Sequence, residues 1–330
     1  MILITGGAGY IGSHFALYLL EKGYKVVVLD NFSTGNKFAV NILSKYKNFN
    51  FVKGDLLNTD DLKNLFKYYK IDSCIHFAAS SNVSESVKNP EKYYANNIYA
   101  TLNLLSVMKD YNVKNIIFSS TVSVYGNTKK IPLTEDLEIN PINPYGKTKA
   151  IIENILDNFD KTNGIKSIRL RYSNVTGADR KNRIGEIHNP ETHILPNLIK
   201  SILKEEKFYI YGTDYDTKDG TCIRDYINIE DLVKAHLSAL KYLKKEKTTN
   251  VFNLGTNKGY SVLDLINTCE KVTGKKVLAE NKIKRAGDPA ILIADYKKAN
   301  KILGWKPEKT LEYSIKTVYE WEKKLQAENC

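Results

Sequence analysis

The sequence predicts an α/β fold, a doubly wound parallel sheet with a smaller C-terminal α/β lobe. In the first half of the chain, short runs rich in β-branched residues alternate with longer amphipathic stretches, which is the pattern of parallel βαβ units. The chain has 330 residues, 42% of them apolar, which is enough for two domains with a large core. No run of about 20 apolar residues occurs, so no membrane span is predicted.

The alternation gives the elements of the first half in order. The predicted strands are residues 2–5, 26–29, 51–52, 74–77, 115–119 and 167–172. The predicted helices are residues 11–22, 60–69, 92–110 and 145–159. Thr59, which precedes two aspartates, and Pro90, near a first turn, support two of the helix starts.

The second half of the chain differs from the first in composition and in the pattern of its predicted elements. Polar residues, glycine and proline fill residues 178–193, which predicts a long loop. Helices are then predicted at residues 194–204, 231–242, 262–273 and 311–324, and strands at residues 208–211, 251–254 and 276–279. We expect a larger unit over residues 1–174 and a smaller lobe over residues 175–330, and more than one crossing of the chain between them is compatible with this division.

The basic character of the chain is spread along its length. The formal net charge is +12, but only six of the 49 basic residues are arginines, and no basic cluster alternates with aromatic residues as it does in nucleic-acid binders. We interpret the charge as a solvated, lysine-rich surface and expect neither nucleic acid nor membrane as a partner. An attraction for small anionic molecules is compatible with this charge.

Cysteine and histidine form no pattern that indicates a metal site or a disulfide framework. The cysteines are Cys74, Cys222, Cys269 and Cys330, without C-x-x-C spacing, and the histidines are His14, His76, His188, His193 and His236. We therefore predict no metal, and we expect Cys74, inside an apolar run, to be a buried thiol. The N-terminus has no basic segment before its apolar residues, so it does not fit a signal peptide and a cytoplasmic protein is expected.

A glycine-rich turn follows the first strand and opens the first helix. Gly6, Gly9 and Gly12 have G-x-x-G-x-x-G spacing. Glycine at these places permits a tight turn, a close approach of the backbone to a pyrophosphate, and close packing of helix on strand. The helix N-terminus adds free N–H groups and the positive end of a dipole. The turn thus predicts a Rossmann-type dinucleotide site.

Acidic residues after the next two strands bear on which dinucleotide binds. Asp30 ends the second strand, 18 residues after Gly12. A carboxylate there accepts hydrogen bonds from the adenosine ribose and repels a 2′-phosphate, which favours NAD over NADP. Asp55 follows the third strand, where it fits either a place beside the adenine or an ordinary turn.

Tyr145 and Lys149 are four residues apart at the start of a predicted helix, so they share one face. An ammonium beside a phenol favours the phenolate and lowers the pKa of the phenol from about 10 toward neutrality, which makes it a general base. Such a pair often occurs by chance. This one follows the fifth strand, which runs into Ser119, Ser120 and Thr121 at the carboxyl edge of the sheet, where ligands bind in open α/β folds. The position therefore indicates an active site, with Thr121 as a further partner of a substrate hydroxyl.

Together these motifs resemble the extended short-chain dehydrogenase/reductase family, and within it the enzymes that epimerise UDP-hexoses at C4. The resemblance runs from residue 2 to about residue 325. It is carried by GGAGYIGSH (6–14), DN (30–31), GDL (54–56), HFAA (76–79), YYANN (93–97), FSSTVSVYG (118–126), NPYGKTK (143–149), DGTCIRDYI (219–227) and RAGDPA (285–290).

The resemblance implies tightly bound NAD, a UDP-hexose substrate such as UDP-glucose or UDP-galactose, and a homodimer formed through the helices at 92–110 and 145–159. It implies catalytic roles for Thr121, Tyr145 and Lys149. The implied cofactor-binding positions are Gly6, Gly9, Tyr10, Ile11, Gly12, Asp30, Asn31, Asp55, Leu56, Phe77, Ala78, Ala79, Asn96, Ser119, Tyr145, Lys149 and Tyr172. The implied UDP-sugar positions are Thr121, Asn174, His193, Ile194, Tyr211, Arg224, Arg285, Asp288 and Leu292.

Three positions depart from the family pattern. Ser173 stands where many relatives have Phe, and Ser81 where some have a Lys that reaches the cofactor. Leu292 falls where relatives vary between a bulky Tyr and a small residue that admits an N-acetyl group. A UDP-N-acetylglucosamine 4-epimerase therefore stays as an alternative, and so does a UDP-pentose 4-epimerase, which shares the mechanism.

Two further alternatives are less well supported. A nucleotide-sugar 4,6-dehydratase usually carries Asp-Glu directly after its active Thr, whereas Val122 and Ser123 follow Thr121 here. A NAD-sensing regulator without enzymatic activity would keep the glycine turn but would not need Thr121, Tyr145 and Lys149 together.

Overall fold

The centre of the protein is a seven-stranded parallel sheet in the computed structural model, which describes residues 1–285 and 288–328. The strands are β1 (Ile2–Thr5), β2 (Val26–Asp30), β3 (Phe49–Lys53), β4 (Ser73–His76), β5 (Asn115–Thr121), β6 (Lys166–Tyr172), β7 (Asn174–Thr176), β8 (Lys207–Tyr211), β9 (Ile223–Arg224), β10 (Tyr226–Asn228), β11 (Asn250–Leu254), β12 (Tyr260–Ser261), β13 (Leu278–Lys282) and β14 (Ile291–Leu292). The order across the sheet is β11-β6-β5-β4-β1-β2-β3. The predicted doubly wound α/β fold is confirmed.

Helices cover both faces of this sheet. They are α1 (Tyr10–Glu21), α2 (Lys37–Leu43), α3 (Thr59–Tyr68), α4 (Val83–Lys88), α5 (Pro90–Tyr93), α6 (Ala100–Asp110), α7 (Pro144–Asn163), α8 (Ile194–Lys204), α9 (Ile229–Glu246), α10 (Val262–Thr273), α11 (Lys297–Leu303) and α12 (Leu311–Glu328). None of these helices within the described residues is long and apolar enough to cross a membrane.

Alternate residues of each central strand enter two separate cores, because side chains point to opposite faces with a period of two. Ile2 and Ile4 pack with α1 and α9 on one face, and Leu3 between them packs with α3, α6 and α7 on the other. Burial on both faces explains why the central strands are continuous apolar runs rather than alternating ones.

The chain returns to the central sheet after residue 174. Strand β11 pairs with β6 along its whole length, and α9 packs against α1 and against β5 and β6. The predicted strand at 251–254 is therefore present, and it belongs to the large sheet. The division of the chain at residue 174 stays a prediction. That prediction allows the chain to cross between the two units more than once, as it does at β11.

The remaining elements build a smaller lobe beside the sheet. Its core holds apolar residues of α8, α10 and α12, and its short strands pair as β8 with β13 and as β12-β9-β14. Residues 178–193 carry no helix or strand, as expected for the predicted loop. Cys74 is buried as predicted, whereas Cys330 lies outside the described residues, as do residues 286–287 of the RAGDPA motif.

Several boundaries differ from the sequence prediction. The predicted helix at 92–110 is interrupted by a π-helical turn at Tyr94–Tyr99, and the predicted strand at 276–279 lies at Leu278–Lys282 instead. The π-helical turn places Asn97 inward, where its side chain accepts a hydrogen bond from Ser80 N at 2.8 Å and donates to Thr148 Oγ at 3.1 Å. Such local hydrogen bonds are not visible in a hydrophobic pattern.

Candidate active site

A cleft of about 1150 Å³ lies at the carboxyl edge of the sheet, between the sheet and the smaller lobe. The glycine turn after β1, the end of β5, the start of α7 and strand β9 of the lobe all contribute to its walls. In open α/β sheets this edge is where ligands bind, because the loops there diverge and leave room.

The glycine turn is held in a conformation that side chains would disturb. Gly6 has a φ of +69°, and a Cβ on it would lie 2.6 Å from Ala78 N. A Cβ on Gly12 would lie 2.3 Å from the Gly6 carbonyl oxygen, so this glycine permits the close packing of turn on helix. Gly9 differs from both, because a Cβ on it would lie 3.4 Å from the Gly6 carbonyl oxygen, which is an ordinary van der Waals distance.

The N-terminus of α1 faces the cleft without a side-chain cap. Gly9 is its N-cap and supplies no side chain to the first N–H groups, while Tyr10, Ile11 and Gly12 of the first turn line the cleft. A helix N-terminus with free donors favours an anion. The turn and helix therefore suit the pyrophosphate of a dinucleotide.

Asp30 is fixed at the end of β2 by two backbone donors. Its Oδ2 accepts from Ala8 N at 2.9 Å and its Oδ1 from Phe32 N at 2.8 Å. Burial raises the pKa of this carboxyl, and the two hydrogen bonds oppose the rise. Each oxygen keeps a lone pair, so the carboxylate can accept further hydrogen bonds from ribose hydroxyls.

Thr121, Tyr145 and Lys149 converge on the floor of the cleft. Thr121 is the last residue of β5, and Pro144 and Asn143 start α7, with Asn143 Oδ1 accepting from Gly146 N at 2.8 Å. Lys149 Nζ donates to the Ser119 carbonyl at 2.7 Å. The helix start therefore sets Tyr145 and Lys149 against the end of the strand that carries Thr121.

Burial dominates the ionisation of this pair. It raises the pKa of Tyr145 to about 12, which the hydrogen bond with Thr121 opposes, and it lowers the pKa of Lys149 to about 7, which Glu153 opposes. The spacing of Lys149 after Tyr145 predicts that the ammonium lowers the pKa of the phenol. In the structure the ammonium is turned toward Ser119, so desolvation of the phenol prevails.

The lobe side of the cleft presents two arginines. Arg224 is buried and pairs with Asp288, while Arg285 stacks over the Tyr211 ring with its guanidinium carbon 4.1 Å from the ring centre. Leu292 on β14 pairs in register with Arg224 on β9, so both side chains line the same wall. A guanidinium is suited to bidentate binding of phosphate.

Most of the predicted site residues line this one cleft. They are Gly6, Gly9, Tyr10, Ile11, Gly12, Asp30, Phe77, Ala78, Ala79, Ser119, Thr121, Tyr145, Lys149, Tyr172, Asn174, His193, Ile194, Tyr211, Arg224, Arg285, Asp288 and Leu292. Tyr172 contributes its hydroxyl to a hydrogen bond with Ser119 Oγ at the end of β5.

Four predicted cofactor positions do not line the cleft. Asn31 Nδ2 donates to Asp55 Oδ2 at 2.9 Å, so these two side chains are engaged with each other. Leu56 is buried in the core beneath, and Asn96 Nδ2 donates to Ser80 Oγ at 3.0 Å. Asp55 Oδ1 also accepts from Leu57 N at 2.8 Å, as is common in a turn, and both alternatives for Asp55 stay predictions.

Comparison with known proteins decides the family. The family described as GDP-mannose 4,6 dehydratase matches residues 3–318. A UDP-glucose 4-epimerase of Lactobacillus helveticus is 47% identical over 324 residues, which cover 98% of this chain and 97% of the relative. The chain belongs to the UDP-glucose 4-epimerase family.

Solved structures of this family have the same fold. The UDP-glucose 4-epimerase of Brucella ovis in complex with NAD is 40% identical, with a TM-score of 0.91 and coverage of 97% of both chains. That of Bifidobacterium longum in complex with NAD+ and UDP is 39% identical, with a TM-score of 0.93 and coverage of 98% of both chains.

Sequence reasoning missed several residues of the epimerase-family cleft. Cys222 and Tyr226 line it on either side of Arg224. The alternation 222, 224, 226 along an extended segment would have predicted this shared face. Lys88, Lys200, Lys204 and Lys207 also line the cleft, and no local signal separates them from the other lysines of the chain.

Proposed function

We propose that this protein interconverts UDP-glucose and UDP-galactose by inverting C4 of the hexose through a 4-keto sugar, with NAD bound in the same cleft. The observation that carries the proposal is the convergence of Thr121, Tyr145 and Lys149 in a cleft that also holds a phosphate-binding turn and two arginines. Membership of the epimerase family supports it.

The residues of the cleft fit NAD. Gly9 leaves room for a close approach, the N-terminus of α1 offers uncapped donors to the pyrophosphate, and Asp30 offers acceptors to the ribose. When bound, NAD supplies a ring that accepts a hydride from the sugar and returns it, and the positive charge of the oxidised ring favours the phenolate. Lys149 is suited to hold the ribose hydroxyls.

Proton transfer is assigned to Tyr145. The phenolate form of Tyr145 takes the proton of the sugar 4-hydroxyl as the keto sugar forms, and the phenol produced returns that proton when the C4–H bond forms again on the opposite face. Thr121 holds the same hydroxyl in line. Tyr145 is partly exposed to the cleft, and a bound cofactor and sugar would exclude bulk water from its hydroxyl, so that the proton passes between the tyrosine and the sugar alone.

The UDP end is assigned to the lobe. Arg224 and Arg285 bind the diphosphate, and Asp288 is suited to the uridine ribose while it holds Arg224 in place. Because the diphosphate stays bound, the keto hexose can rotate in the pocket without dissociating. The basic residues that line the cleft add attraction for the dianionic substrate.

The decisive experiment compares Tyr145→Phe with Tyr68→Phe, which changes an exposed tyrosine outside the cleft. Tyr145→Phe should reduce kcat on UDP-galactose by about 10²- to 10⁴-fold, the usual contribution of a general base. Bound NAD and folding should be retained. Near-normal turnover by Tyr145→Phe would show that Tyr145 is not the general base. Incubation with UDP-N-acetylgalactosamine and UDP-arabinose in parallel identifies the sugars accepted.

We also propose a homodimer and a cytoplasmic location. Tyr99, at the end of the π-helical turn, and Ile151, on α7, are exposed apolar residues on the two helical segments implied by the family resemblance. Tyr99→Asp should convert the dimer to a monomer in light scattering, and Tyr68→Asp should not. The free thiols among the described residues suit a reducing compartment.

A further inference from the structure

A second cluster of polar side chains lies in the wall of the cleft, within the loop that precedes α8. Glu186, His188, Glu191 and His193 each bring one ligand atom to a common point, and these four atoms lie within 4.8 Å of one another. His188, Glu191 and His193 also line the cleft. The prediction that no metal binds is based on the cysteine spacing and on the dispersed histidines, and glutamate ligands near His188 and His193 do not enter it.

The distances around His188 match coordination better than hydrogen bonding. His188 Nδ1 is 3.2 Å from Glu186 Oε1 and 3.6 Å from Glu191 Oε1, and it makes no aligned hydrogen bond within the described residues. Two ligand atoms that are each about 2.1 Å from a tetrahedral zinc lie about 3.4 Å apart. The fourth ligand atom, His193 Nδ1, contacts Glu186 Oε1 directly, and these two atoms would have to move apart for both to bind one cation.

A carboxylate oxygen without a hydrogen bond is a second, independent observation that indicates a cation site. The Glu191 side chain is only 6% exposed, and its Oε2 accepts no hydrogen bond from the described residues. Lys200 Nζ lies 3.5 Å away, at ion-pair rather than hydrogen-bond geometry. The other oxygen, Oε1, accepts hydrogen bonds from Thr192 N at 2.9 Å and from His193 N at 3.0 Å, so Oε2 is the atom of this carboxylate that is left for a cation.

We propose that Glu186, His188, Glu191 and His193 bind one divalent transition-metal cation of the zinc type. Two imidazoles with two carboxylates favour Zn²⁺, Co²⁺ or Ni²⁺ over Mg²⁺ and Ca²⁺, which prefer oxygen ligands alone. The cation would hold the loop against α12, where Trp321 Nε1 donates to the Glu186 carbonyl at 3.0 Å.

The site also fixes an imidazole that faces the cleft. The His193 side chain is 48% exposed although its Nδ1 is turned to the cluster, so its Nε2 is left on the open side. With Nδ1 bound to a metal, Nε2 carries the proton and is a donor. That this donor serves an anionic substrate rests on the proposed function, whereas the binding of the cation does not.

The test uses the full chain, purified without an affinity tag, treated with a chelator and dialysed. Titration with Zn²⁺ should show one ion per chain, and titration with Co²⁺ should give the visible absorption bands of a four-coordinate site. His188→Gln and Glu191→Gln should each weaken Zn²⁺ binding at least tenfold, while Glu205→Gln, which changes an exposed residue at the end of α8, should not. Circular dichroism and retained NAD show that each variant folds.

The competing account is a metal-free cluster in which both histidines are protonated. It predicts no stoichiometric binding of Zn²⁺ or Co²⁺, or binding that none of the ligand variants changes, and either result overturns the proposal. Because no sugar nucleotide is present in these titrations, their failure leaves the epimerase assignment untouched. A failure of Tyr145→Phe to lower turnover likewise leaves the cation site untouched.

Discussion

Lys149 stands one helical turn after Tyr145 on α7, and its ammonium lies 5.9 Å from the centre of the Tyr145 ring. The same ammonium lies 4.7 Å from the centre of the Phe118 ring, so aromatic faces surround it on two sides. Because the site is desolvated, both side chains are pushed toward their neutral forms. This shared burial has a measurable effect on stability.

The pH dependence of stability should carry the signature of Lys149. Its pKa is about 7 in the folded chain, against an ordinary value of 10.5, so between these pH values the unfolded chain binds a proton that the folded chain lacks. The free energy of unfolding of the wild type should therefore rise with pH relative to that of Lys149→Met, by up to about 1.4 kcal/mol per pH unit. Urea unfolding at pH 7, 8 and 9 measures this difference.

Lys147→Met is the matched control for that experiment, since Lys147 lies exposed on the same turn. It should show no such slope against the wild type. A flat difference between the wild type and Lys149→Met would mean that Lys149 stays fully charged in the folded chain.

Two glycines of the turn should respond differently to alanine. Gly12→Ala should destabilise the fold, because its Cβ would lie 2.3 Å from the Gly6 carbonyl oxygen. Gly9→Ala should keep thermal stability, because its Cβ meets only a contact at 3.4 Å and its φ of −80° is open to alanine. The added methyl should instead weaken NAD binding, measured by NAD content after dialysis. Equal thermal stability of the two variants would contradict the claim that a Cβ is tolerated at Gly9 but not at Gly12.

The ion pair between Glu153 and Arg171 should be costly to break from one side. Both side chains are about 6% exposed, and Arg171 Nε donates to Glu153 Oε1 at 2.9 Å. Arg171→Met alone should lower the free energy of unfolding by about 3–5 kcal/mol, because it leaves a buried charge unpaired. The double variant with Glu153→Leu should recover much of that loss. Chemical denaturation measures all three proteins, and additive losses would exclude coupling between the two residues.

Leu292 should limit the size of the sugar substituent. It lines the cleft next to Arg224 and is 6% exposed. Leu292→Ser should raise kcat/KM for UDP-N-acetylglucosamine relative to UDP-glucose by about tenfold, since the variant frees the volume of the leucine methyls. Leu292→Ile, which keeps the volume, should leave the ratio unchanged. If Leu292→Ser left the ratio of the two kcat/KM values unchanged, Leu292 would not contact the N-acetyl group.

The sequence predicted those parts of the fold and site that depend on local patterns. The alternation of strands and helices located the elements of the sheet, and the glycine spacing located the turn. Tyr145 and Lys149 could be paired from their helical spacing, and Thr121 from its place at a strand end. These features need only a few neighbouring residues to be recognised.

Other features depend on contacts between distant segments and could not be predicted. Asn31 and Asp55 are engaged with each other across two loops, which neither loop reveals alone. The direction of the Tyr145 pKa follows from burial, which sequence spacing does not report. The cluster at Glu186 and His193 also needed three-dimensional proximity, because the order of its residues along the chain matches no known ligand motif.

The return of the chain to β11 has a consequence for any attempt to dissect the molecule. A fragment that ends at residue 174 would lose α9, whose apolar residues cover β5 and β6, and would leave the backbone of β6 as a bare outer edge. Unprotected edges recruit strands from other copies. Limited proteolysis near residue 174 should therefore yield aggregates or a nicked but associated pair of pieces, rather than a folded nucleotide-binding half.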